Sequence, residues 1–99
     1  MIPKTRFEFW VKDLSAAQVQ TIQGNRAFAE KLVDGVGASV STEAVLANAG
    51  MNAALNVVRS ELAFAVKALR EVKTTEAERL IVLAKDHLDI LGVSLYGSY

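Results

Sequence analysis

The chain contains no cysteine, a single proline and a single histidine. The missing cysteines exclude disulfide frameworks, cysteine-ligated zinc and thiol catalysis together. A lone histidine argues against a histidine metal site, and neither a metal nor a cofactor is expected. Net charge is absent as well, because eleven basic side chains balance eleven acidic ones. No global field therefore draws in nucleic acid or an anionic membrane. Glycine and proline together supply only 7 of the 99 residues, far below a collagen-like or disordered composition. Long hydrophobic runs are also missing. The longest uncharged stretch, 44–58, is interrupted by Asn48, Asn52 and Asn56 and falls short of the roughly 20 apolar residues of a membrane span. The opening Met1-Ile2-Pro3-Lys4-Thr5-Arg6 lacks the apolar core of a secretory signal, so a soluble cytoplasmic protein is expected.

Apolar residues nevertheless make up 52% of the chain, enough for one packed domain over residues 1–99. Their spacing is helical, and an all-α fold is expected. Thr5 and Glu8 have capping-box spacing, and Phe7, Val11, Leu14, Ile22, Phe28, Ala29 and Leu32 follow on one stripe. A first long helix is predicted from there to about Asp34, ending at Gly35-Val36-Gly37, where glycine can adopt the left-handed conformation that stops a helix. Ser41 or Thr42 then caps a second long helix with a seam of Met51, Leu55, Val58, Leu62, Ala65, Leu69 and Val72. Thr75 and Glu78 form another capping-box pair, opening a shorter third helix with Ala77, Leu80, Ala84, Leu88, Leu91 and Leu95 on its inner face. Tyr96-Gly97-Ser98-Tyr99 is expected to fray or to dock on a neighbour. The architecture expected is an antiparallel hairpin of two long helices plus a shorter third, completed by oligomerisation.

In that arrangement the third helix reaches back only to about Asn52, and the hairpin tip is left uncovered. Phe28, Leu32, Val33, Val36, Val40, Val45 and Leu46 cluster there, and Glu43 is the only charge between Gly35 and Val58. Apolar, charge-depleted surface marks an oligomer seam or a partner site. Asn48, Asn52 and Asn56 recur every four residues away from the leucine seam, either as a weakly polar solvent face or as an intersubunit surface. These ten residues are the candidate interface. Phe9 and Trp10 lie off or at the edge of the first apolar stripe, where either could anchor a partner.

Gln18, Thr21 and Asn25 interrupt the apolar stripe of the first helix, and the register of the second turn sets Glu61 near His87. A carboxylate beside an imidazole suits acid–base chemistry, with Gln18 as an orienting group. No nucleophile, metal-ligand set or glycine-rich phosphate loop accompanies the pair. The five residues are therefore read as a buried polar layer that fixes helix register, and no catalytic residue is assigned. Leu91-Gly92-Val93-Ser94 looks like the turn of a DNA-binding helix-turn-helix, but only five residues follow it, too few for a recognition helix.

The second half of the chain resembles the phasins, small helical proteins of bacterial polyester storage granules. The likeness lies in Glu61-Leu62, Ala68-Leu69-Arg70-Glu71-Val72, Lys73-Thr74-Thr75-Glu76-Ala77, Leu80 and Ala84-Lys85, with an echo in Asn25-Arg26-Ala27-Phe28. The resemblance implies an amphipathic coat or granule-associated assembly factor without catalysis, peripheral to a lipid or polyester surface. The residues themselves point first to a non-enzymatic self-assembly or adaptor protein. Its expected partner is a second copy or another protein, with no nucleic acid and no transmembrane segment. A small enzyme or ligand-binding bundle using Glu61 and His87 is the third reading.

Overall fold

A computed structural model describes residues 2–97. Those residues form four helices and no strand: α1 (Lys4–Ile22), α2 (Arg26–Leu46), α3 (Ala49–Arg70) and α4 (Thr74–Tyr96). All-α is the observed class, but the helices number four rather than three, and the turns fall elsewhere than expected.

The first break lies at Gln23-Gly24-Asn25 instead of Gly35-Val36-Gly37. Gly24 holds φ +82°, while the amides of Gly24 and Asn25 donate to the carbonyls of Thr21 and Gln20 at 3.1 and 2.9 Å. This pair of bonds is the Schellman arrangement that ends a helix on a left-handed residue. Gly35 and Gly37 keep negative φ inside α2. Each interior glycine costs a helix about 1 kcal/mol, whereas burying a valine returns roughly 1.5–3 kcal/mol. Ala29, Val33, Val36, Val40 and Ala44, spaced three and four apart, are buried along one stripe, so the stripe outweighs the two glycines. The chain then turns at Ala47-Asn48. Asn48 caps α3, its Oδ1 accepting from the Met51 amide at 2.9 Å. The capping roles expected of Ser41, Thr42, Thr5–Glu8 and Thr75–Glu78 are not realised: Ser41 and Thr42 lie within α2, and Pro3 and Lys73 occupy the N-caps of α1 and α4 without side-chain cap bonds.

The helices run up-down-up-down. Each packs on its chain neighbours, and α4 closes the ring against α1. Because the four helices differ by only four residues in length (19 to 23), none leaves a neighbour uncovered. The accessible surface of 5458 Å2 and Cα radius of gyration of 12.7 Å match the roughly 5,500 Å2 and 13 Å of a compact 99-residue monomer. The core is therefore completed within one chain. It centres on Phe7, Trp10, Leu14, Leu55, Leu62 and Leu88, with Leu69 in a smaller cluster beside Ala29 and Ala77. Of the seam expected on the second long helix, Leu55, Val58, Leu62, Ala65 and Leu69 are buried, Met51 is half-buried, and Val72 lies exposed past the end of α3. Trp10 belongs to this core, its indole N–H donating to Ser39 Oγ at 2.8 Å. Tyr96 is half-buried with its ring 6.2 Å from that of Phe7; Ser98 and Tyr99 lie outside the described residues. Among the described residues no helix is long and apolar enough to cross a membrane.

Candidate functional site: the α3–α4 face

The candidate interface of the sequence separates into three parts. Val33, Val36 and Val40 are buried in the core of the single chain, and Leu32 is half-buried against it. They are unavailable to a partner, because α2 is a separate helix whose apolar stripe turns inward. Phe28, Val45 and Leu46 remain exposed. They are dispersed: Phe28 lies near the start of α2, and the other two at its end, more than four turns further on. The asparagines bond within the chain. Beyond the Asn48 cap, Asn52 Nδ2 donates to the Ala44 carbonyl at 2.6 Å, and Asn56 Nδ2 donates to Asn52 Oδ1 at 2.8 Å. This ladder ties the start of α3 to the end of α2, so the three amides form a splice between helices.

The expected polar layer also divides. Thr21 is buried, its hydroxyl satisfied by the Ala17 carbonyl one turn back at 2.8 Å. Asn25 is exposed in the α1–α2 turn, with Nδ2 on Gln20 Oε1 at 3.1 Å. Gln18 is half-buried and makes no hydrogen bond to the remaining pair. Glu61 and His87 do meet: Nδ1 of the imidazole lies 2.8 Å from Glu61 Oε1. The carboxylate accepts and the ring nitrogen donates. The Glu61 side chain is 11% exposed and that of His87 39%, so the pair is seated at the rim of the core with the ring edge facing outward.

This bond fixes the register of two antiparallel helices. Positions 57, 61 and 64 share one side of α3, and 83, 87 and 90 share the matching side of α4. Val57 is thereby level with Ile90, and Phe64 with Leu83, one rung on each side of Glu61–His87. These four side chains are 51%, 66%, 60% and 37% exposed respectively. Ser60 and Asp86 flank the pair, both exposed and neither making a side-chain hydrogen bond among the described residues. Toward the α3–α4 turn the face ends in Lys67 and Arg79; Glu76 accepts from Arg79 at 2.6 Å. That hydrogen bond, reinforced by the carboxylate's charge, raises the Arg79 guanidinium above its ordinary range.

Two cavities lie away from this face. One of about 580 Å3 opens at the bundle end beside Ile2, Leu46, Met51 and Leu95, next to an Arg6–Glu43 ion pair of 3.0 Å. Another of about 450 Å3 runs between α1 and α2 beside Phe9, Gly35 and Ser39. Neither is lined by Glu61 or His87. Among the described residues no three His, Asp or Glu side chains are grouped to hold a metal ion. Sequence reasoning found the Glu61–His87 adjacency but missed the rungs around it. Their signal was present: Val57, Phe64, Leu83 and Ile90 all lie outside the inner stripes of their helices. Comparison of the chain with protein-family models, curated proteins and solved structures gives no match to any of them, and so nothing there bears on the likeness to phasins.

Proposed function

We propose that the protein is a non-enzymatic helical module that works by self-association. The observation that supports this most is the α3–α4 face. Once the chain has closed its own core, four large apolar side chains still stand exposed on two adjacent helices, as two rungs either side of the Glu61–His87 pair. Single exposed hydrophobics are ordinary on any monomer, but four gathered on one face are the pattern of an interaction surface. The other exposed apolar residues, such as Phe9, Ile22, Val45 and Leu46, lie on other faces or at helix ends. Glu61 and His87 then serve the face structurally, as a satisfied polar pair at its centre.

Light scattering on the purified chain tests this reading. The expected mass exceeds that of one chain, 10.7 kDa, at concentrations of about 100 µM. A mass of 10.7 kDa throughout that range would overturn it. Flotation with lipid or polyester droplets tests the granule-coating alternative, since a coat would bind through the same side chains; recovery of the chain on droplets with loss of the oligomer would replace self-association with that role.

A further inference from the structure

We propose that the cavity at the bundle end binds a medium-chain alkyl carboxylate, its tail against Ile2, Met51 and Leu95 and its carboxylate on Arg6. The site is independent of the self-association reading. It is built from the start of α1, the α2–α3 turn and the end of α4, and shares no residue with the α3–α4 face.

The core itself prepares the apolar side. Ile2 is buried, and Ala47, Met51 and Leu95 pack against the same cluster, so this wall is held in place before any ligand arrives. Leu46 also lines the cavity and is left exposed. The volume of about 580 Å3 falls within the roughly 300–1,000 Å3 of small-molecule sites. At roughly 30 Å3 for each water-sized group, a ten-carbon carboxylate occupies about 360 Å3 and fits. A partner helix, about 10–12 Å across, would enter for about one turn only.

The polar side is defined by hydrogen-bonding capacity left over. Arg6 and Glu43 are the only charged residues of the lining, and Asn48 is its other polar one. Arg6 Nη1 donates to Glu43 Oε1 at 3.0 Å, and the guanidinium makes no second hydrogen bond among the described residues. Its Nε–Nη2 edge, the fork that takes a carboxylate bidentately, is therefore unused. Asn48 Oδ1 is taken by the Met51 amide, while Nδ2 makes no hydrogen bond among the described residues. These side chains thus retain more donors than acceptors, and an ionised carboxylate, which only accepts, complements them. An alkylammonium would instead bring donors and a like charge beside Arg6. Glu43 has a side chain only 14% exposed; it anchors the guanidinium and also weakens its pull on a second carboxylate.

Titration of the full chain with octanoate, decanoate and dodecanoate below their micellar concentrations, followed by amide NMR, tests the site. Shifts are expected at residues 2–6, 43–51 and 95, and each added methylene should tighten binding about fourfold until the cavity is filled. Decanol should bind about tenfold less tightly than decanoate, because it lacks the charge-assisted bonds to Arg6. Arg6→Gln should abolish that difference. Glu43→Gln, which keeps the side-chain shape and removes the competing charge, should tighten decanoate severalfold and leave decanol unchanged. Shifts centred on Val57, Phe64, Leu83 and Ile90 would overturn the proposal by showing general adsorption to the exposed face. So would equal affinity for decanol and decanoate, weaker decanoate binding by Glu43→Gln, or decylammonium binding more tightly than decanoate.

Discussion

Val72 occupies a position that suits glycine. The amides of Val72 and Lys73 donate to the carbonyls of Leu69 and Ala68 at 3.2 and 2.8 Å, repeating at the end of α3 the Schellman geometry found at Gly24. Val72 holds φ 61°, the only positive φ of a non-glycine residue among those described. The left-handed region costs an L-residue about 1–2 kcal/mol, with β-branching adding to it. The side chain is 61% exposed, so little burial offsets that strain. Val72→Gly removes the strain but frees the unfolded chain, which takes back about 0.4–1 kcal/mol. The net expectation is a gain of about 0.5–1 kcal/mol, equivalent to roughly 2–5 °C in Tm for a domain of this size. Urea unfolding followed by circular dichroism reads this as a higher midpoint with an unchanged slope. Val72→Ala, which keeps a Cβ but loses the branch, should fall no higher than midway. A Val72→Gly protein that unfolds at a lower urea concentration than the parent would refute the reasoning, because the strained turn would then be contributing something that its exposure denies.

Three further outcomes follow from local geometry. Gly35→Ala should stabilise α2 by about 0.5–1 kcal/mol, since a Cβ there meets nothing within 4 Å and the helix interior favours alanine; a lower urea midpoint would show that Gly35 is needed for packing. Asn48→Ala should cost about 1 kcal/mol by removing the α3 cap, read again as a shift in urea midpoint. For Glu61 and His87, the single variants Glu61→Leu and His87→Leu should each destabilise by about 1–3 kcal/mol because the partner is left unpaired, while the double variant recovers most of the loss. Additive losses in that cycle would mean the two side chains do not act as a pair.

The class of fold was readable because it depends on summed periodicity. Leu55, Leu62 and Leu69 recur every seven residues on α3, and all three are buried. The Glu61–His87 contact was readable for a related reason: the α3–α4 turn was placed nearly correctly, and antiparallel register carries a turn position along the whole helix. The α1–α2 connection was not readable. Gly24, Gly35 and Gly37 are equivalent as residues, and local capping signals worth about 1 kcal/mol cannot say which of them turns the chain. Packing decides, because only a break at Gly24 lets Val33, Val36 and Val40 face Leu55, Val58 and Leu62 in a closed ring. The misplaced turn carried the candidate interface with it. A long first helix leaves a bare hairpin tip, whereas four nearly equal helices leave a covered core and an exposed α3–α4 face. The asparagines misled in another way: a four-residue spacing looks the same whether the amides bond across an interface or along one helix and its neighbour.

The most direct test of self-association through α3 and α4 is a dilution series followed by amide NMR, from about 1 mM to about 10 µM, a range that spans micromolar dissociation. The account predicts concentration-dependent shifts confined to residues 57–64 and 83–90, with Phe28, Val45 and Leu46 unmoved. Spectra that do not change on dilution, or shifts centred on those three residues instead, would contradict it.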